Sequence, residues 1–449
     1  MISSWLLQYL PEPVRRHISG RSYLLRVIDN IGWIFSERIL RHTVGFAIGI
    51  WIARYVGPEE YGLLNYATAF VLVFAFLGAL GLDSLAVRDM LRNPASRDET
   101  LGTLLALRLT GGLVMMLVTA GAMMLVAPQD PRAPTLILVI SVAHLLLATD
   151  SIDCWFQANV ASRYTVIARL ASFFALSLVR IVLIVVQAPL VAFAVANLAE
   201  SALLAVCMLV VYHRSGQKLA RLKVCLARAK TFCAEGWPLF VSALVVSITQ
   251  RVDQVLLGDM AGYKEVGAYA IAVRVIEATY ILPAVIGTSV FPALVKSRDQ
   301  DLRLYQLQVE KLCGTLLWLA FALSLPLSLF SSVLVRVLVG VEYEHAALPL
   351  AILAWMPMFV FFGLVRQRWL IAEDALAAAL CLEIAACVIN MVMNLLLIPR
   401  YGAAGAAMAS LIAAAGASLV VAPFSGAVRQ SLLMLVRGVR APFRALRGS

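Results

Sequence analysis

The sequence predicts an all-α polytopic membrane protein, with about 12 transmembrane helices in two six-helix bundles related by a pseudo-two-fold axis along the membrane normal. Three observations predict it: an apolar composition, a series of apolar stretches of membrane-spanning length, and a repeated turn at the same place in each half. The 449 residues are 62% hydrophobic and 14% charged, and the mean hydropathy is +0.88. A soluble domain is nearer 45–50% apolar and about 25% charged. One helical crossing takes about 20 apolar residues, so a dozen crossings leave no loop long enough for an ordinary soluble domain. That excludes a soluble enzyme, a nucleic-acid-binding module, a disulfide scaffold and a receptor with a large ectodomain. The net charge of +11 then reads as anchoring to the cytoplasmic face.

The apolar stretches lie near residues 30–55, 61–82, 103–126, 134–158, 165–186, 189–212, 235–258, 266–294, 310–339, 346–365, 375–398 and 403–427. Pro349 and Pro357 interrupt the tenth. The chain thus divides into an interfacial N-terminal segment (1–29), a six-helix bundle (30–212), a basic linker (213–234), a second bundle (235–427) and a basic tail (428–449). With the N-terminus inside, the inner segments carry 24 Lys and Arg and the outer ones carry 3, namely Arg132, Lys264 and Arg400. This bias places both termini in the cytoplasm. Residues 1–29 have no apolar core behind a basic start, so they do not read as a cleavable signal. Seven cysteines without a CxxC pair read as reduced thiols packed as small hydrophobes.

The stretch 57–67 (GPEEYGLLNYA) matches 262–272 (GYKEVGAYAIA) at an offset of 205 residues. Gly57, Glu60, Gly62 and Ala67 thereby align with Gly262, Glu265, Gly267 and Ala272. G-x-x-E-x-G is also sound turn chemistry before a helix. Its recurrence at one point of two six-span halves favours a duplicated unit, and paired halves around a cavity are a transporter architecture.

Ionisable residues inside spans are costly and usually face a cavity or a partner. Span one carries Glu37, Arg38, Arg41 and His42, with Arg38, Arg41, Gly45 and Gly49 on one face. Span five carries Arg169 and Arg180, close to one stripe. Span seven has Arg251 and Asp253, and span eight has Arg274 and Glu277. These last four read either as closed ion pairs joining helices or as transport groups. Asp150, Asp153 and Gln157 read as an inner-end gate, His144 as a core histidine, and Glu200 as a coupling candidate. Arginine exceeds acid at the deep positions, Arg108 included, which favours an anionic cargo because guanidinium forks match phosphate oxygens. Candidate cargo-binding residues are Arg38, Arg41, Arg180, Arg251 and Arg274. Candidate ion-coupling or structural partners are Glu37, His42, Glu200, Asp253 and Glu277. No nucleotide loop, metal-spaced Cys/His cluster or hydrolase motif occurs, so no catalytic residue, metal or cofactor is expected.

Residues 53–62 (ARYVGPEEYG), 251–258 (RVDQVLLG) followed by 265–270 (EVGAYA), Trp155-Phe-Gln157 ahead of Arg163-Tyr164, and 398–407 (IPRYGAAGAA) resemble the bacterial polysaccharide repeat-unit flippases (Wzx, the O-antigen translocases). The four motifs keep that family's order over most of the chain. The resemblance implies the fold shared by multidrug-and-toxin extruders and the lipid II flippase, in the bacterial inner membrane. It implies an undecaprenyl-diphosphate-linked oligosaccharide as cargo, turned from the inner to the outer leaflet by alternating access. It also implies span-eight arginine, here Arg274, at the diphosphate, and polysaccharide polymerase and chain-length machinery as partners besides membrane lipids. A cation-coupled drug antiporter of the related extruder type is the alternative, and it would want an acidic or aromatic cavity. A membrane glycosyltransferase, polymerase or ligase is disfavoured by the very short outer loops.

Overall fold

In lipid, backbone polar groups find partners only within a helix or a closed barrel, and this sequence has the long apolar runs of helices. The computed structural model describes residues 22–128, 130–283 and 302–447. Among the described residues the chain is helical between its turns, with no strand. Expectations for residues 1–21, for the end of the eighth span and for the start of the basic segment after it lie outside the described residues. Eight described helices are long and apolar enough to cross a membrane, or up to ten when two bent pairs are each taken as one span. The chain is a multi-pass membrane protein.

The chain divides into two compact units. The first comprises the chain up to Gly49 together with Val71–Leu244. It holds the start of α1 (Ser22–Val73), then α2 (Asp83–Arg92), α3 (Arg97–Val126), α4 (Ala133–Leu146), α5 (Ser151–Ala158), α6 (Arg163–Val185), α7 (Leu190–Arg214) and the start of α8 (Leu226–Ala261). Its core gathers Met90, Leu101, Leu104, Ile152, Phe156 and Tyr212. In the turn before α4, Arg132 donates to Asp130 and holds that carboxyl below its usual range.

The second unit comprises Ile50–Phe70 and the chain from Val245 onward. After α8 come α9 (Tyr263–Thr279), α10 (Leu302–Leu329), α11 (Ser331–Val339), α12 (Ala347–Leu353), α13 (Met356–Ala372), α14 (Leu376–Val421) and α15 (Gly426–Arg447). Its core includes Val309, Leu317, Trp369, Leu370, Leu382 and Val428. The helix ending in α12 and α13 are bent by 43° between Leu353 and Met356, where Pro357 begins a new helix.

Two helices each run through two of the expected apolar stretches, and both break at a glycine. Within α1, Gly57 has φ 78° and ψ 171° and is followed by Pro58. Within α14, Gly402 has φ 52° and ψ −130°, three residues after Pro399. Only glycine adopts such angles without strain. Outward-facing apolar side chains, such as Leu117 at 68% and Leu125 at 89% exposure, are those a bilayer would cover.

The two copies of the repeated turn meet inside the second unit. A Cβ on Gly62 would lie 1.7 Å from the Tyr263 carbonyl oxygen, and one on Gly267 would lie 2.0 Å from that of Pro58. Under the offset of 205 residues these are one contact with its partners exchanged. Both copies therefore need glycine because each backbone rests on the other.

Candidate functional site

In the first unit a cavity of about 410 Å³ is lined by Glu37, Arg38, Arg41, His42, Asp150, Arg169 and Phe173. Four of these come from α1, because residues three and four apart fall on one helical face. Arg41 donates to Glu37 at 3.1 Å and lies 5.6 Å from the centre of the Phe173 ring. Glu37 is buried, whereas the Arg41 side chain keeps 40% of its exposure. Gly45, one turn on, faces Phe173 at contact distance. Across the cavity Arg169 donates to Asp150 at 2.7 Å and to Asp153 at 3.0 Å. Asp153 also accepts from Gln157 and Thr165. Arg38 and His42 are exposed and have no hydrogen bond or ion pair among the described residues. The cavity thus presents three guanidinium groups and two carboxylates, with one arginine uncommitted.

Other charges of this unit are placed elsewhere. Arg180 donates to Glu200 and to Asn197, each at 2.6 Å, closing a pair between α6 and α7. Arg108 is buried and pairs with Asp83. His144 bonds to the Ile140 carbonyl within its own helix.

In the second unit, Asp253 on α8 is buried at 5% exposure. It accepts a hydrogen bond from the Tyr269 hydroxyl of α9 and another from the Gln254 amide at 2.8 Å. Tyr269 also contacts the Ser410 hydroxyl at 3.2 Å, and Asn390 donates to that hydroxyl at 3.4 Å. Asn394 donates to Asn390 at 3.0 Å, while its own Oδ1 is buried without a partner among the described residues. Asp253, Tyr269, Ser410 and two asparagines of α14 therefore form one buried polar chain. Among the described residues no ion pair joins Arg251 to Asp253 or Arg274 to Glu277. Arg251 is half-buried; Arg274 lies 5.7 Å from the centre of the Tyr61 ring, and Glu277 is exposed. The ion-pair alternative for these four is not formed in this state.

The family described as polysaccharide biosynthesis protein matches residues 27–298. The chain belongs to this family. A protein assigned as an O-antigen transporter in Escherichia coli (strain K12) is 21% identical over 322 residues, covering 69% of this chain and 75% of the relative. A protein assigned as a low-salt glycan biosynthesis flippase in Haloferax volcanii is 24% identical over 165 residues, 36% of this chain and 34% of the relative. Among solved structures, an inward-facing multidrug resistance transporter of the MATE family matches with TM-score 0.68 at 16% identity, over 90% of this chain and 95% of its own. The lipid II flippase MurJ in an inward closed conformation matches with TM-score 0.68 at 14% identity, over 93% of each chain. The fold is the one these transporters share, and neither the family nor these neighbours are enzymes.

For this polysaccharide biosynthesis family member, sequence reasoning picked out Asp253 but missed the residues around it. Asn390 and Asn394 did carry a signal: two amides at i, i+4 spacing within an otherwise apolar span. Tyr269 and Ser410 carried none, because a hydroxyl on an apolar helix is common. The cavity of the first unit joins Asp150 and Arg169, read as gate and stripe, to the four α1 residues.

Proposed function

We propose that the protein is a flippase that turns an undecaprenyl-diphosphate-linked oligosaccharide repeat unit from the inner to the outer leaflet of the bacterial inner membrane. The observation that carries this reading is the cavity of the first unit, where Arg38 is uncommitted and Arg41 retains exposure beside Arg169. A diphosphate is a compact dianion, and two guanidinium forks offer it matched pairs of donors. Arg274, held over Tyr61 with no carboxylate paired to it among the described residues, is a second candidate contact. The family match and the assigned relatives support glycan-lipid cargo over the drug-antiporter alternative. Twelve crossings follow if α1 and α14 each cross twice, turning at Gly57 and Gly402, and the Lys and Arg bias then puts both termini on the cytoplasmic side. Polymerase and chain-length proteins would receive the cargo outside.

Coupling is assigned to the Asp253 chain. A buried carboxylate with no ion pair among the described residues is a costly charge, so in this unit it is the group suited to take up the coupling cation. Alternating access then follows from the difference in that site's occupancy between states. Arg180–Glu200 is already closed and serves as a brace between α6 and α7 in this reading.

Complementation of a strain lacking its own flippase tests the proposal, scored by surface polysaccharide and by lipid-linked repeat units trapped inside. Restored surface polysaccharide is expected. Drug resistance without restoration would transfer the protein to the antiporter reading. Asp253→Asn keeps the acceptor for Tyr269 but loses the charge, so transport in vesicles should lose its dependence on the cation gradient. A variant with unchanged gradient dependence removes Asp253 from coupling.

A further inference from the structure

A second cavity, of about 250 Å³, lies in the second unit between α13 and α14. Its arginine, Arg366, stacks over the Phe362 ring at 5.3 Å and donates to the Ser418 hydroxyl. No carboxylate pairs with it among the described residues. The lining around it is mostly apolar, including Phe359, Gly363, Leu382, Ala386 and Ala414, with Gln367 and Glu383 as its other polar members. A guanidinium in such surroundings is costly unless an anion meets the donors left over.

Its position along the helices narrows the ligand. Arg366 lies six residues before Ala372, the end of α13, or about 9 Å from it. Ser418 lies three residues before Val421, the end of α14. Phe359 is thirteen residues from Ala372, or about 20 Å away. The charged and polar members of the lining therefore sit near the helix ends and the apolar ones reach farther along, which is the polarity of a lipid with its head at the membrane surface.

The geometry points to a binding site for an anionic phospholipid, its phosphodiester on Arg366 and one acyl chain along Gly363, Phe359 and Ala414. The guanidinium fork matches two phosphate oxygens. The lining offers one guanidinium, which matches one phosphate group, so a head with one phosphate suits the site better than a diphosphate. A free phosphate ion would gain nothing from the apolar part of the lining. This goes beyond the transport reading and does not depend on it.

Delipidated full-length protein in detergent is titrated with phosphatidylglycerol or phosphatidylcholine of matched chains, and bound lipid is counted by native mass spectrometry. Phosphatidylglycerol should bind about tenfold more tightly than phosphatidylcholine. Arg366→Gln should abolish that preference, and Arg366→Lys should keep part of it. Gly363→Leu tests the chain groove with Arg366 intact. A Cβ there meets no atom within 4 Å, so the leucine fills the groove without a backbone clash and should weaken both lipids at an unchanged melting temperature. Should Arg366→Gln fail to fold, Gly363→Leu still decides. Headgroup-indifferent binding, or phosphatidylglycerol binding equal in wild type and Gly363→Leu, overturns the site. Displacement by soluble glycerol phosphate overturns the lipid assignment in favour of a free anion.

Discussion

Arg38 and Arg41 share a face of α1 but are held differently. Arg41 is the partner of buried Glu37, whereas Arg38 has no such duty among the described residues. Arg38→Ala should therefore lower transport about tenfold or more at unchanged membrane abundance, with Arg38→Lys recovering only part because lysine lacks the planar fork. Arg41→Ala should lower abundance as well, since breaking a buried pair costs about 3–5 kcal/mol and Arg41 is only partly buried, which puts this case at or below the lower end. Adding Glu37→Gln should restore abundance without restoring transport. Complementation and immunoblotting of membranes measure both quantities; restored transport in the double variant would make Arg41 a purely structural partner. Sequence reasoning identified these residues because charge within an apolar span stands out. It did not tell which arginines were already spoken for: Arg180 is taken by Glu200 and Arg169 by Asp150 and Asp153.

At the scale of elements, glycine decides where helices touch. Gly62→Ala would place a Cβ 1.7 Å from a backbone carbonyl, so the turn must move, and overpacking of this kind costs about 1–3 kcal/mol. Gly121→Ala in α3 meets nothing within 4 Å and should be neutral or stabilise by up to about 1 kcal/mol through helix propensity. Thermal unfolding of the purified variants should order them Gly121→Ala, wild type, Gly62→Ala. Equal melting temperatures for the last two would refute the close contact. The linker is another element whose role only packing shows. Read as a basic connection, it is fastened to the first unit: Lys223 backbone rests on Gly102, and the Cys225 amide donates to Thr103 at 3.0 Å. Arg228 at the start of α8 pairs with Asp89 and Glu99. Losing the charge-assisted bond to Asp89 costs about 1–2 kcal/mol, so Arg228→Ala should speed tryptic cleavage at Arg221 and Lys223 by roughly 5–30-fold. An unchanged cleavage rate would mean that backbone packing alone holds the linker.

For the molecule as a whole, the Lys and Arg count of 24 against 3 predicts its orientation. Reporters fused after Ser449 or inserted within residues 213–234 should behave as cytoplasmic. Tags near Pro58 and Gly262, the two turns that meet in the second unit, should be reached from outside. A C-terminus labelled from outside would refute the twelve-span topology. The repeat also bears on this scale. Its exchanged glycine contacts explain why G-x-x-E-x-G recurs 205 residues on: each copy is the surface against which the other packs. Helix formation itself needed no tertiary information, since runs this apolar have no other way to satisfy their backbone in lipid.

Sequence alone determined the membrane class, the helical fold, the repeat and the arginine-rich character of span one. All of these follow from composition within a short window or from a match between two windows. Tertiary structure decided which charges are committed. It joined Arg228 to Asp89 across 139 residues and Tyr269 to Ser410 across 141. It left Arg38 and Arg366 without carboxylate partners among the described residues, and buried the Asn394 oxygen alone. The physical reason is that hydropathy is additive along the chain, whereas a hydrogen bond depends on the rotation and register of two helices. A shift of one residue turns a side chain by about 100°, and the sequence of a single helix does not record what stands opposite.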